Sequence, residues 1–398
     1  MTAARSFKLP RAVIALGLVS LFTDLSSEMI IPLLPVFLTT QLGASATFFG
    51  LVEGTAESVA SLLKLFSGAW SDRMGRRFPL VLFGYSLSAL MRPLMAFCSA
   101  PWQALVVRSA DRVGKGLRSA PRDALLTAAV EQKSRGWAFG FHRAMDHTGA
   151  MLGALAAWAL LAWGFQMNQV FFIAAIPGLF AVLAIIFGVK ESKVPPQESA
   201  PSKASGFADF RELNPRLKRY LLVLGWFTLA NSSDAFLLLK AAQVGIPLKL
   251  APLLWLVLHI TKALTNLAGG RLSDRIGSMP VIRYGWIVYG VVYALFGLAD
   301  AAWQVWVLFI VYGLYHGLTE GAEKSWVAQL SDTGKHGSAF GWYHALTGAI
   351  ALPASLWMGV VWQHYGSSAA FMVCAVISIS AVGLLNWSAR TPREAMSL

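Results

Sequence analysis

Apolar segments long enough to cross a bilayer follow one another along this whole 398-residue chain, and that limits its fold more than any single side chain. A helix rises 1.5 Å per residue, so about 20 apolar residues cross a hydrocarbon layer roughly 30 Å thick. Twelve such segments can be read, at about 11–39, 46–71, 78–98, 102–129, 136–164, 168–189, 218–243, 248–272, 280–300, 303–330, 337–363 and 368–388. Hydrophobic residues make up 56% of the chain and charged residues 13%, far from a soluble globular average. The sequence predicts an all-α membrane protein of twelve transmembrane helices.

The formal net charge of +13 raises the question of nucleic acid, and the placement of the basic residues answers it. Arg5, Lys8, Arg11, Arg73, Arg76, Arg77, Lys133, Arg135, the cluster from Lys190 to Arg219, Arg271, Arg275, Lys335, Arg390 and Arg393 all fall on one side of the predicted membrane. Lys240 and Lys249 are essentially all that the other side holds. That asymmetry is the positive-inside bias, and it predicts a multi-pass protein of the cytoplasmic (inner) membrane with both termini in the cytoplasm. No basic segment is interleaved with exposed aromatics, so nucleic acid is not an expected partner. The first apolar run continues past Asp24 and Glu28 without a small-residue cleavage site, and reads as a span rather than a signal peptide. Cys98 and Cys374 lie in different halves within apolar segments, which argues against a disulfide framework.

The chain repeats itself at half its length. Gly68-Ala-Trp-Ser-Asp72-Arg73-Met-Gly75-Arg76-Arg77 returns as Gly270-Arg-Leu-Ser-Asp274-Arg275-Ile-Gly277. Trp102-Gln103 recurs as Trp303-Gln304, Gly116-Leu117 as Gly317-Leu318, and Ala138-Phe139-Gly140 as Ala339-Phe340-Gly341, each 201 residues on. Phe22-Thr23 with Ser26-Ser27-Glu28 recurs as Phe227-Thr228 with Ser232-Ser233-Asp234. The longest polar stretch, with Pro195-Pro196 and many basic residues, separates the copies as a cytoplasmic linker. The predicted organisation is a six-helix bundle over 1–189, a linker over 190–217 and a second six-helix bundle over 218–398. An even number of spans per half makes the two run in the same sense, an arrangement of transporters.

The Gly68 to Arg77 loop, with the duplicated twelve-span plan, resembles the major facilitator superfamily over essentially the full chain. DRVGKGLRSAPRDALL (111–126) and AFGFHRAMDHTGA (138–150) are similar to a poorly characterised prokaryotic, efflux-permease-like branch. The resemblance implies that Gly68, Asp72, Arg73, Gly75, Arg76, Arg77, Asp274 and Arg275 form a cytoplasmic gate. It would hold while the protein opens outward and part when it opens inward. Gly140, Gly149 and Gly153 match the front of the antiporter glycine pattern, which then breaks at Ala154 and Ala157-Trp158. Close helix packing is a sufficient account of those glycines. Where the superfamily usually has glycine in the fourth helix this chain has Arg112, while its second half keeps Gly313.

The charged residues single out a site. Arg108, Asp111, Arg112, Lys115, Arg118 and Arg122 recur every three or four residues and so share one helical face. Each charge near the membrane centre costs roughly 2.5–3.5 kcal/mol even on a lenient scale, so the stripe must face partners or water. Arg108, Asp111, Arg112 and Lys115 are the deeper members and the candidate substrate ligands. Asp24 and Glu28 on the first helix, with Glu53 and Glu57 on the second, are candidate proton carriers. A carboxylate beside an arginine alternates between an ion pair and a protonated form, and Asp24 or Glu28 with Arg108 or Arg112 is the pairing expected here. The competing account is a permanently closed ion-pair network. His142, Arg143 and Asp146, with His316 and His344 facing them, complete the predicted substrate wall. A metal site is a minority reading beside Arg143. GKGLRS (114–119) lacks the spacing of a phosphate-binding loop. Trp226, Trp255 and Trp326 are the tryptophans placed for the cavity.

The expected function is secondary active transport of a small anionic or zwitterionic solute by alternating access, proton-coupled, with efflux favoured by the resemblance. Proton-coupled import, passive facilitation and divalent-metal export are the alternatives. Neither an enzyme nor a cofactor is expected; the partners are substrate, protons and lipid, and the acting unit is a monomer.

Overall fold

The computed structural model describes residues 10–74, 76–131, 135–189, 210–332 and 336–389. Twelve membrane-length helices account for nearly all of them. They are α1 (Arg11–Gln41), α2 (Ala46–Met74), α3 (Phe78–Phe97), α4 (Pro101–Ala128), α5 (Arg135–Ala162) and α6 (Met167–Gly188). The second series is α7 (Pro215–Gln243), α8 (Ala251–Ile276), α9 (Ser278–Leu298) and α10 (Ala302–Leu330). Two further helices, α11 (336–365) and α12 (367–389), meet at Gly366, whose φ of 85° turns the chain back so that Cys374 comes within 3.6 Å of Met358. Each helix lies within a few residues of an apolar segment read from the sequence. By length and apolar composition alone seven stretches of the described residues qualify as spans, one of them covering both α11 and α12. The helices that fall short are α2, α4, α5 and α10, and they carry most of the interior charge.

Several sequence repeats now have physical causes. Gln103 accepts from the Ser99 and Ala100 amides at the start of α4, and Gln304 from Asp300 and Ala301 at the start of α10. Each Trp-Gln pair is therefore a helix cap beside an exposed tryptophan suited to the membrane interface. A Cβ on Gly116 would press on Ala60 and Leu63 of α2, and one on Gly317 on Thr265 of α8. Gly84 likewise abuts Gly114 and Arg118, as Gly285 abuts Leu318 and Thr319. The contact pairs α2–α4, α3–α4 and α1–α5 are matched by α8–α10, α9–α10 and α7–α11. The two six-helix bundles share one packing plan. Gly317→Leu is expected to destabilise the protein by about 1–3 kcal/mol or more, because its Cβ would sit 2.2 Å from Thr265 Oγ1. Thermal unfolding in detergent checks this, with Gly321→Leu, which has no neighbour within 4 Å of its Cβ, as the tolerated control.

Two helices break at equivalent places. In α1 the α-helical turns end at Glu28, and a 3-10 turn over Ile31–Leu33 follows, where Pro32 and Pro35 cannot donate to the preceding turn. In α7 regular helix stops at Ala230 and resumes at Ala235. Both breaks lie at mid-helix, where unwound backbone is tolerated only against protein or a water-filled cavity.

The bundles touch at one end and part at the other. Away from the 75–77 and 277 loops, α2 lies directly on α11. A Cβ on Gly50 would fall 2.1 Å from the Ser355 carbonyl oxygen, and one on Gly359 2.3 Å from that of Ala46. Ser58 Oγ donates to the Gly348 carbonyl at 2.6 Å, and the Phe49 and Phe236 rings meet edge-on at 4.9 Å. At the loop end, Cβ atoms on Gly140 and Gly341 would find no neighbour within 4 Å. Exposure rises along two helices toward that end: Glu53, Arg108 and Arg112 are buried, whereas Glu57, Lys64 and Lys115 are exposed. The molecule is open at the loop end.

Candidate functional site

A cavity of about 300 Å³ lies between the bundles at the level of the two helix breaks. Glu53 and Glu57 reach it from α2, Arg108 and Arg112 from α4, and residues 231–235 from the break in α7. Trp255, His316 and Ser355 close it from α8, α10 and α11, and Ile31 from the break in α1.

On the first wall, the Arg108 guanidinium donates to both Glu53 oxygens, at 3.1 and 3.4 Å. Ser233 of the opposite bundle also donates to Glu53, at 3.2 Å. The partner of Arg108 is thus Glu53 on α2, not the expected acid of the first helix. Arg112 differs in kind. Its Nε has no hydrogen-bond partner, and its contact with Asp111 is at 4.0 Å. Asp111 instead lies 3.3 Å from Arg92 of α3 and 3.9 Å from Arg108 as ion pairs, and Arg92 donates to the Thr23 carbonyl at 2.8 Å. The carboxylate is so engaged and so buried that the structure removes Asp111 from the cavity wall, against its reading as a substrate ligand. It holds the arginine stripe in place. With Arg108 paired to Glu53 and Arg92 to Asp111, Arg112 is the guanidinium of this cluster that reaches the cavity with no carboxylate nearer than 4.0 Å among the described residues.

The second wall carries a compensated acid that the sequence marks only as part of the repeat. Asp234, at the break in α7, accepts from Tyr312 at 2.6 Å and lies 3.2 Å from Lys262 and 3.5 Å from His316. His316 therefore sits where it was expected, beside a partner that was not. Asn231 donates to Tyr315 at 3.1 Å. Glu28, across the bundle boundary, accepts from Trp255 Nε1 at 2.7 Å and faces His259 at 3.8 Å. The Glu28–Trp255 and Ser233–Glu53 bonds are counterparts under the repeat, each joining a broken helix of one bundle to the facing helix of the other.

Other predicted residues lie elsewhere. His142 is buried 3.6 Å from Asp146, whose carboxylate takes a bond from Ser20 of α1. Neither lines the central cavity, which corrects their assignment to the substrate wall. Arg143 of α5 lies outside the cavity lining and spans the cleft to Glu320 of α10 at 2.9 Å, with Arg143 exposed and Glu320 partly buried. Lys115 is exposed toward the cavity mouth, and His344 stacks edge-on with Tyr343 beside it. Asp24 lies one turn before Glu28, partly exposed and outside the cavity lining. Trp255 lines the cavity, but Trp226 faces outward and donates to Ser380. Among the described residues no three His, Cys, Asp or Glu side chains converge as a metal site.

Of the gate residues, Gly75 lies outside the described residues, and Asp72 is placed as part of α2. Arg73, Arg76, Asp274 and Arg275 are exposed, and Arg77 reaches the Ala124 carbonyl at 3.5 Å. Gly277 adopts φ 89°, a turn conformation that favours glycine. A Cβ on Gly68 would meet Ala120 at an ordinary 3.5 Å, so close packing does not require glycine there. Gly149 and Gly153 do need it, since their Cβ atoms would fall 2.3 and 2.5 Å from carbonyl oxygens of Leu21 and Leu25. Packing of α5 on α1 accounts for that glycine pair.

Two like bundles around a charged, two-walled cavity define a membrane transporter. The family model of the Major Facilitator Superfamily matches residues 16–348 and 238–397, and the chain belongs to that superfamily. It is 33% identical over 365 residues to an uncharacterised MFS-type transporter of Methanocaldococcus jannaschii, covering 89% of each chain. It is 24% identical over 401 residues to the multidrug resistance protein MdtG of Escherichia fergusonii, covering 96% of each. A crystal structure of a mutant nucleoside transporter NupG superposes with a TM-score of 0.82 at 14% identity, over 95% of this chain and 100% of that one. The protein is a multi-pass membrane transporter of small molecules, not an enzyme.

Proposed function

We propose that the protein is a proton-coupled exporter of a small anionic or zwitterionic solute, acting as a monomer in the cytoplasmic membrane by alternating access. The observation that carries the substrate class is Arg112, a buried cation that lines the cavity and whose nearest carboxylate, Asp111, is 4.0 Å away. A carboxylate or phosphate would satisfy it with charge-assisted bonds. Glu57, exposed on the same wall, leaves a place for a positive group, which admits zwitterions.

Orientation follows from charge. Arg73, Arg76, Arg77, Arg216, Lys218, Arg219, Arg271 and Arg275 all lie at the loop end, which the positive-inside rule assigns to the cytoplasm. The cavity is then open inward and closed outward. Glu53 is the best-placed proton carrier, because its protonation would release Arg108 and weaken the Ser233 contact across the bundles together. Similarity to a multidrug resistance protein favours export. The gate residues would then re-form a closed cytoplasmic face in the outward-open state.

A thermal-shift screen of anionic and zwitterionic metabolites and drugs on purified protein tests this reading. Stabilising ligands are expected for the wild type, weakened at least about tenfold in Arg112→Ala, as loss of a charge-assisted bond of roughly 1.5–3 kcal/mol implies. Stabilisation by cations alone, or ligands indifferent to Arg112→Ala, would refute the substrate class. Substrate uptake into inside-out vesicles, driven by an imposed pH gradient, is the expected direction of flux.

A further inference from the structure

We propose that Glu323 is a proton-binding site of the second bundle, separate from the central cavity and occupied in the loop-open conformation. Glu323 is 7% exposed on α10, near the loop end, and it is absent from the cavity lining. Its two contacts are neutral: Trp286 Nε1 of α9 lies 3.1 Å from Oε1, and the Tyr343 hydroxyl of α11 3.0 Å from Oε2.

The surroundings offer no counter-ion. The titratable and charged groups facing Glu323 are Tyr220 of α7, Tyr343 of α11, and Tyr315, Glu320 and Lys324 of α10 itself. Lys324 is nearly half-exposed and turned to Glu320 at 3.5 Å, and Glu320 also holds Arg143. Among the described residues no Lys, Arg or His lies within ion-pair distance of Glu323. An ionised carboxylate there would be an unpaired buried charge, which costs far more than a neutral acid with the same hydrogen bonds. The neutral acid fits the two contacts: Oε1 accepts from Trp286, and a proton on Oε2 donates to the Tyr343 oxygen. Tyr343 is only partly buried, so its own hydroxyl hydrogen can turn to water at the mouth.

The repeat sharpens the contrast. Arg122 occupies the matching position in the first bundle and is compensated by Asp123 at 2.7 Å. One bundle places a paired cation at this level and the other an unpaired acid. Trp286 and Tyr220 are fully buried, so Tyr343 is the route by which the proton exchanges, and it leads to the loop end. The site is thus accessible to the loop-side compartment through the Tyr343 hydroxyl.

Infrared spectroscopy of the full-length protein in lipid bilayers at neutral pH tests the proposal without any substrate. The C=O stretching band of a neutral carboxylic acid is expected in the wild type and lost in Glu323→Gln, and Tyr343→Phe should shift that band by removing its hydrogen-bond partner. A Glu323→Gln difference spectrum showing loss of carboxylate bands alone would overturn it. If Glu323→Gln does not fold, Tyr343→Phe decides: a shifted band supports the site and an unshifted spectrum overturns it. Glu53→Gln should leave this band in place, so failure of coupling through Glu53 is read separately.

Discussion

Replacing Gly50 with tryptophan is expected to force the bundles apart at the end away from the loops and turn the protein toward the opposite conformation. A Cβ alone would sit 2.1 Å from the Ser355 carbonyl oxygen and 2.9 Å from its carbon, both backbone atoms that cannot swing aside. Gly359, packed on Ala46 and Thr47, makes the same contact from the other bundle. Overpacking of this sort costs about 1–3 kcal/mol, and here the cost falls on one conformation only. A ligand or substitution shifts a two-state equilibrium by its differential energy, so the ratio of states should move roughly 5- to 150-fold. Alkylation of a cysteine placed at Ser355, on the cavity wall, by a membrane-impermeant reagent added outside should accelerate accordingly. An unchanged rate in a folded Gly50→Trp protein would mean that α2 and α11 do not part.

The second large effect concerns Glu53. Glu53→Gln leaves Arg108 buried without its principal partner, and breaking a buried pair in this way costs about 3–5 kcal/mol. It also deprives Ser233 of an ionisable acceptor across the bundle boundary. Substrate accumulation driven by a pH gradient should be lost while exchange down a substrate gradient survives. Neutralising both members, as Glu53→Gln with Arg108→Gln, should restore much of the thermal stability without restoring gradient-driven accumulation. If the single variant still accumulates substrate against a gradient, the proton is carried elsewhere, with Glu28 at the equivalent boundary contact the next place to test.

The helices and their duplication were legible because lipid demands long apolar runs and because the repeat preserves residues with local jobs. Gln103 and Gln304 cap helices, and Gly116 and Gly317 admit a crossing helix, and each such constraint can be met within a few residues of sequence. The charged face of α4 was legible for the same reason, since 3.6-residue spacing alone places Arg108, Arg112 and Lys115 together. Which acid meets which arginine was not. Choosing Glu53 over Asp24 or Glu28 depends on how α1 and α2 are rotated about α4, and periodicity within one helix carries no such information. Arg92 is a single charge in an otherwise apolar span, with no periodic partner on its own helix to mark it, although its guanidinium lies 3.3 Å from Asp111. Asp234 and Lys262 were obscure because the break in α7 has no proline to announce it. The break brings residues 28 apart in the chain within 3.2 Å.

The central claim is that the two bundles rock about the cavity, opening one face as the other closes. It is tested most directly by paired spin-label distances in lipid, between Glu131 and Asp332 at the loop end and between Gln41 and Gln243 at the other. These are exposed sites at equivalent places in the two bundles. Acidification, or a ligand found in the screen, is predicted to shift both distributions in opposite senses, one population lengthening as the other shortens. Two distances that stay fixed, or that lengthen together, would contradict the account.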